Sequence, residues 1–242
     1  RQRPHLKVLN KADLADPKIT EQWISYFNSQ PKINAISLSA KKTSDVKQIL
    51  LHCEKLAPHR GTNVKPLRML IMGVPNVGKS TIINALKNKR IAKVGNVPAV
   101  TKMQQRIEIN NSMVLTDTPG MMWPKITNEL DGLFLAASHS IGINAYDEIE
   151  TALALSDTLK EKYPELLINQ YSFKSPIPSD EEFLRHIASS RNFVMKGKKF
   201  DLLKAAITFI NDYRSGVIGK ISLESPSSRK LMLEGSSQHK AS

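Results

Sequence analysis

The sequence predicts an α/β chain: a mostly parallel sheet with helices on its faces, followed by a smaller all-helical domain. Three observations carry this expectation. Over the first 125 residues short apolar runs alternate with segments of helical periodicity, the pattern of strand and crossover-helix units. A glycine-containing loop, Gly73 to Ser80, joins one of those runs to one of those helices. Beyond Pro124 the alternation stops and only helical periodicity remains.

Each element has its own signal. Leu6 to Leu9 is a short apolar run, and Asp16-Pro17 then supplies a cap and a first-turn proline for a helix bearing Ile19, Trp23, Tyr26 and Phe27. Ile36 to Ala40 alternates apolar and polar residues, the period of a strand, and Val46, Ile49, Leu50 and Cys53 follow at helical spacing. Arg60 to Lys65 reads as a linker, after which Arg68 to Met72 is a buried strand running through the glycine loop into a helix from Ser80 to Lys87. Arg106 to Ile109 and Met113 to Asp117 flank Asn110-Asn111-Ser112, a turn that makes them an antiparallel hairpin because asparagine tolerates the left-handed conformation.

The helical part is expected over 126–223. A helix runs from Tyr146 to Tyr163 and stops at Pro164; Ser179 with Glu182 forms a capping box for a helix bearing Phe183, Leu184 and Ile187; a last helix spans about Asp201 to Arg214. Residues 224–242, rich in serine, are expected to be a mobile tail.

Composition narrows the function classes. Of 242 residues, 40% are hydrophobic and 24% charged, ordinary globular usage. A single cysteine, Cys53, cannot form an internal disulfide or a cysteine metal cage, which fits a reducing compartment. The apolar stretches fall far short of the roughly 20 residues that span a bilayer, so no membrane insertion is expected. Lys and Arg number 35 against 22 Asp and Glu, a formal charge of +13. Between Lys41 and Arg106 there are 14 basic and 2 acidic residues, so most of the excess lies in one quarter of the chain and points to an anionic partner, nucleic acid above all. Solvated lysines with one or two phosphate-binding cations are the blander reading.

Gly73-Val74-Pro75-Asn76-Val77-Gly78-Lys79-Ser80 fits the phosphate-binding loop G-x-x-x-x-G-K-[ST] and lies between a strand and a helix, as that loop must. Its backbone N–H groups, at Pro75's successors Asn76, Val77 and Gly78 and on into Lys79, Ser80 and Thr81, can cradle phosphate oxygens at the positive end of a helix. Lys79 would neutralise the β and γ phosphates, and Ser80 would offer its hydroxyl to Mg²⁺. Asp117-Thr118-Pro119-Gly120 at a strand end would let Asp117 hold Mg²⁺ through water and Gly120 sense the γ-phosphate through its N–H. Asn10-Lys11-Ala12-Asp13 suits guanine: the Asp13 carboxylate can accept from N1–H and the exocyclic amine, a donor pair adenine lacks. Asn10 would brace neighbouring loops and the Lys11 stem would lie over the base. Ser39-Ala40-Lys41 at the next strand end supplies a backbone N–H for the guanine O6. These loops together predict GTP rather than ATP, with GDP as product.

The base-reading loop precedes the phosphate loop, the reverse of the usual GTPase order, so the domain is expected to be a circularly permuted P-loop GTPase spanning 1–125. This order, together with Val94 to Lys102, Asp117 to Lys125 and Asp212-Tyr213-Arg214-Ser215-Gly216, resembles the YlqF/RbgA family, the ribosome biogenesis GTPase A type. The resemblance runs to about Leu223.

The resemblance implies a bacterial cytoplasmic enzyme, with an organellar matrix as the alternative, that promotes late maturation of the large ribosomal subunit. It further implies a helical domain that helps bind ribosomal RNA. By motif match Thr101 would be the switch threonine that closes on Mg²⁺ and the γ-phosphate, and Asn76 the loop asparagine that helps hold K⁺. The expected partner is the precursor of the large subunit, its rRNA and proteins; the protein itself is expected to be a monomer.

The chain also departs from the family. Ala99 stands where glycine is usual, and Met121 stands where Ras-like enzymes place a water-orienting glutamine, so intrinsic hydrolysis should be slow. The family's first strand, with its Asp-Ala-Arg-x-Pro motif, has no counterpart; its omission would expose two strand edges, and the full-length protein is expected to extend upstream of Arg1. RNA contacts are expected at Arg185, Arg191, Lys196, Lys198, Lys199 and Lys204. Two other readings stay open: a nucleotide-gated RNA-binding scaffold or regulatory switch whose turnover is incidental, and an ATP-dependent metabolic enzyme.

Overall fold

A computed structural model describes residues 3–88, 104–123, 125–142 and 145–238. The chain forms two compact units, one of Arg1–Met122 with Glu224–Ser242 and one of Trp123–Leu223. The expected boundaries at 125/126 and 223/224 therefore stand against divisions after Met122 and after Leu223.

The first unit begins with β1 (His5–Leu9), α1 (Pro17–Asn28), β2 (Ile33–Ser37), α2 (Thr43–Leu56), β3 (Leu67–Ile71) and α3 (Lys79–Lys87). It continues with β4 (Gln105–Asn110) and β5 (Met113–Asp117). Asp16 caps α1, its carboxylate accepting from Lys18 N at 2.8 Å, with Pro17 in the first turn. β2 lies earlier than the alternation of Ile36 to Ala40 suggested. Parallel pairing with β1 begins at His5↔Ile33, and past Leu38, whose N–H donates to Leu9 O at 3.0 Å, the chain curls into a loop closed by Lys42 N on Ser39 O.

The mostly parallel sheet is divided in two, with the exposed strand edges that the missing family strand led one to expect. β1 and β2 pair in parallel; β3 pairs in parallel with β5, and β5 antiparallel with β4, in the order β3-β5-β4. Among the described residues β1 and β3 each pair on one side only. One apolar layer nonetheless spans both sheets: Val46 and Ile49 of α2 and Ile82 of α3 pack with Leu6 and Val8 of β1, Ile36 of β2 and Ile71 of β3. That shared layer, worth about 1.5–3 kcal/mol per fully buried aliphatic side chain, brings the loops after β1, β2 and β3 to the same end of the unit.

The second unit is helical: α4 (Glu129–Ala137), α5 (Glu148–Lys162), α6 (Pro164–Tyr171), α7 (Asp180–Ser190) and α8 (Leu202–Ser215). Its core joins Leu155, Leu159, Leu167, Phe183, Leu184, Ile187 and Phe209, all fully buried. Pro164 both ends α5 and starts α6, since proline fits the first helical turn as well as it breaks the last. The capping box at Ser179 does not form: its hydroxyl accepts from Lys160 Nζ at 3.1 Å, and no side chain caps α7.

The Asp212 to Gly216 motif is spent on this packing. Asp212 Oδ2 accepts from Tyr171 Oη at 2.9 Å and Arg191 at 2.8 Å, while Arg214 donates to Ala136 O at 2.7 Å and Ala137 O at 2.8 Å, tying off the end of α4. Tyr163 Oη bonds both the N–H and the C=O of Ser222, each at 3.2 Å, which fixes the exit from the unit.

The segment expected to be a mobile tail carries α9 (Pro226–Gln238) and belongs to the first unit. Trp23 Nε1 of α1 donates to Glu224 O at 3.0 Å. The Arg229–Glu224 ion pair at 3.2 Å and the Ser228 N bond to Ser225 Oγ at 3.1 Å close the first turn of α9. Serines at a helix start act as caps, so a serine-rich composition here marks a boundary rather than a coil.

Candidate functional site

Four loops meet at the end of the first unit: residues 10–13 after β1, 38–41 after β2, 73–78 between β3 and α3, and 117–121 after β5. Asn10 joins three of them. Its Nδ2 donates to Val77 O at 2.8 Å and its Oδ1 accepts from Ala40 N at 2.9 Å. Ala12 N donates to Leu38 O at 3.1 Å, so the loops after β1 and β2 run side by side. Gly78 takes φ +99°, and a Cβ there would fall 2.2 Å from Asn10 Nδ2; the loop needs glycine both for its left-handed backbone and for the room.

The residues expected to meet phosphate lie together. Lys79 Nζ turns back to Gly73 O at 2.8 Å and Val74 O at 2.9 Å. Burial lowers the pKa of its ammonium from the ordinary lysine value, with the Asp117 charge acting in the opposite direction. Ser80 and Thr81 open the first turn of α3, whose N-terminal N–H groups face the loop. Asn76 takes φ 58°, and Pro75 packs against Gly120, where a Cβ would meet Pro75 Cγ at 2.9 Å and its backbone at 3.0 Å.

Asp117 is buried, with 1% exposure, at the end of β5. Thr118 Oγ1 donates to Ile71 O at 2.8 Å and Met121 N to Gly73 O at 3.2 Å, stitching the Asp117–Gly120 loop to the start of the phosphate loop. Reading the motif singled out Asp117 and Gly120; the stitching by Thr118 depends on the parallel pairing of β3 with β5, which no local spacing shows. Met121 is half exposed and offers no polar group there.

In the loop expected to read the base, Asp13 Oδ2 accepts from Lys41 Nζ at 2.8 Å. Lys41, then burial in the opposing sense, then Ser39 govern the carboxyl, whose pKa lies below its ordinary value. Lys11 takes φ 61° at the bend of its loop. Of the Ser39-Ala40-Lys41 N–H groups, one of which was expected to meet the guanine O6, that of Ala40 is donated to Asn10.

Thr101 and Ala99, with the rest of 89–103, lie outside the described residues. Of the cations expected to meet RNA, Arg185 pairs with Glu181 at 3.1 Å and Glu182 at 3.2 Å, and Arg191 pairs with Asp212. Lys204 lies 4.5 Å from the centroid of the Phe193 ring. Lys196, Lys198 and Lys199 are exposed on a turn closed by the Val194–Phe200 bridge. No helix among the described residues is long and apolar enough to cross a membrane.

Residues 68–178 match the family model described as 50S ribosome-binding GTPase. Over 232 residues the chain is 38% identical to a ribosome biogenesis GTPase A of Bacillus cereus, a match that spans 93% of this chain and 78% of that protein. Among solved structures, the GDP-bound form of TM YlqF superposes with a TM-score of 0.65 at 27% identity, covering 92% of this chain and 83% of that one. The GNP-bound form of YlqF from T. maritima gives 0.61 at 26%, covering 92% and 82%. Permuted loop order, the Asn10 bridge and an identity that extends over nine-tenths of the sequence converge on one conclusion: the chain belongs to the ribosome biogenesis GTPase A family.

Proposed function

We propose that this protein binds GTP, hydrolyses it to GDP and phosphate, and uses the cycle in late assembly of the large ribosomal subunit. The observation that carries the reading is the Asn10 side chain held between Val77 O and Ala40 N, which couples a guanine-type loop to a phosphate loop 67 residues away in sequence. The relatives' names, ribosome biogenesis GTPase A, supply the cellular process.

In this reading Lys79 leaves its two carbonyl partners for the β and γ phosphates, gaining anionic oxygens for a partly desolvated ammonium. The N–H groups from Asn76 to Thr81 hold the phosphate oxygens, and the Gly120 N–H meets the γ-phosphate. Ser80 and the buried Asp117 are hard oxygen donors that fit Mg²⁺, and Thr101 would complete its shell; the ion supplies charge neutralisation across the β and γ phosphates. Asn76 is the candidate ligand for K⁺. Asp13 accepts from the guanine edge, Lys11 covers the base, and the Lys41 N–H, beside the committed Ala40 N–H, is the donor for O6.

The chemistry needs charge neutralisation and an oriented water. The loop supplies the first. Met121, apolar and half exposed, cannot supply the second, so turnover by the free protein is slow and the ribosomal particle raises it by ordering the switch segments. Contact with rRNA runs through exposed lysines, Lys196, Lys198 and Lys199 among them, and reads phosphate and shape.

The test is single-turnover GTP hydrolysis with and without large-subunit precursor particles, paired with co-sedimentation in a non-hydrolysable GTP analogue. Particle-stimulated hydrolysis and GTP-dependent co-sedimentation are expected. Fast hydrolysis by the protein alone, unchanged by particles, would overturn the reading. A Lys79→Ala variant that still binds particles but is not released separates an enzyme from a scaffold with incidental turnover.

A further inference from the structure

We infer that Lys41 is a positioning residue for guanine recognition, its ammonium holding the Asp13 carboxylate in the orientation that the base requires. The inference rests on the reading of Asp13 as the guanine-binding carboxylate, and it assigns a task to the side chain of a residue whose motif role is a backbone one.

The geometry comes from strand pairing. β1 and β2 run parallel in unbroken register from His5↔Ile33 to Leu9↔Ser37, so the loops that follow them leave the sheet together. Ala12 N on Leu38 O and Ala40 N on Asn10 Oδ1 keep those loops in step. Lys41 then emerges beside Asp13, and its Nζ lies 2.8 Å from Asp13 Oδ2. The Asp13 side chain is 27% exposed, whereas that of Lys41 is 74% exposed, so the carboxylate is fixed by its loop and the lysine reaches over to it.

The lone-pair count sets what a bound base must displace. An ionised carboxylate offers about four acceptor positions on two oxygens. Lys41 occupies one on Oδ2, and the Ser39 side chain and the Asp13 N–H donate to the same group. For the N1–H and exocyclic amine of guanine both to bind, one of the two local donors, Ser39 or the Asp13 N–H, gives way while Lys41 keeps Oδ2 in place. A rotated carboxyl would present a single acceptor to the same edge and lose one of those bonds. Lys41 is the largest influence lowering the pKa of this carboxyl, and Ser39 acts in the same direction. An exposed pair is worth little in stability, so the effect is confined to ligand affinity.

Three full-chain variants test this: Lys41→Met, which keeps the stem and removes the charge; Lys41→Arg, which restores it; and Asp13→Ala, alone and combined with Lys41→Met. Binding of GDP, inosine diphosphate and ADP is measured by titration calorimetry at low and high salt. Lys41→Met is expected to weaken GDP about two- to fivefold. The loss should shrink for inosine diphosphate, which lacks the exocyclic amine, and at high salt, and Lys41→Arg should recover it. In the Asp13→Ala background Lys41→Met should change nothing further. GDP binding by Lys41→Met equal to or tighter than that of the parent overturns the proposal, because the lysine would then be idle or a competitor of the base. An equal loss in the Asp13→Ala background overturns it too, placing Lys41 on the base itself. If Asp13→Ala alone leaves the preference for GDP over ADP unchanged, the reading of the base site fails, and that result is distinct from a silent Lys41.

Discussion

The side-chain amide of Asn10 fills the space in which a β-carbon on Gly78 would stand, 2.2 Å from its nitrogen. The two residues come from loops at opposite ends of the proposed nucleotide site, and each makes the other's identity necessary. Gly78 gives the amide room to reach Val77 O, and the amide leaves no space for any other residue at 78.

That relationship predicts strong coupling. Asn10→Ala removes two hydrogen bonds at about 0.5–1.5 kcal/mol each, so unfolding free energy should fall by about 1–3 kcal/mol and GDP affinity at least tenfold. Gly78→Ala should be as harmful, since it displaces the same amide and strains a left-handed backbone. In the double variant the clash is gone, so the two losses should sum to clearly more than the measured effect. Urea titration and GDP binding of all four forms check this; simple additivity would show that Asn10 and Gly78 act separately.

Thr118→Val keeps the volume of a buried side chain and deletes its bond to Ile71 O. A stability loss of about 1–2 kcal/mol is expected, because the Ile71 carbonyl loses its donor and the apolar methyl replaces a hydroxyl. The loop it anchors carries Asp117 and Gly120, so single-turnover GTP hydrolysis should drop severalfold while GDP affinity changes little. A variant with normal hydrolysis would mean that Met121 N on Gly73 O suffices to hold the loop.

Trp23 stacks on Phe27 with centroids 5.6 Å apart and holds the Glu224 carbonyl. Trp23→Ala should free α9: hydrogen exchange at 226–232 is expected to rise at least tenfold, and proteolysis after residue 224 to accelerate, with the helical unit's own exchange unchanged. Unaltered protection of 226–232 would show that α9 is held without the tryptophan.

Alkali should unfold the helical unit first. Burial raises the Tyr213 hydroxyl to about 12 and moves Tyr171 upward in the same sense, with Asp212 adding to the shift. In the unfolded chain both ionise near the ordinary value of 10.0, so above that pH the unfolded state binds fewer protons and stability falls as pH rises. For Tyr213 alone the loss between pH 10 and about 12 amounts to about 2–3 kcal/mol. Tyr213→Phe should flatten that decline in a circular-dichroism pH series; an unchanged slope would exclude the residue as its source.

Local chemistry is what could be read along the chain. The loops at 10–13, 39–41, 73–80 and 117–120 are each specified by residues a few positions apart, where a glycine, a lysine or a carboxylate has one workable use. Caps such as Asp16-Pro17 and the turn at Asn110 are equally local, so the corresponding elements stand where the spacing puts them. Three-dimensional packing decided the remainder. Two open strand edges were foreseeable from the missing family strand, but the pairing order within each sheet, β1-β2 and β3-β5-β4, follows from which strands find hydrogen-bonding neighbours. The start of β2 at Ile33 follows from register with β1. The return of α9 to the first unit follows from a tryptophan 201 positions earlier. The same holds inside the site: each motif names its residues, but the bridge from Asn10 to Val77 and the pair between Lys41 and Asp13 exist because parallel strands deliver distant loops to one end of a shared apolar layer.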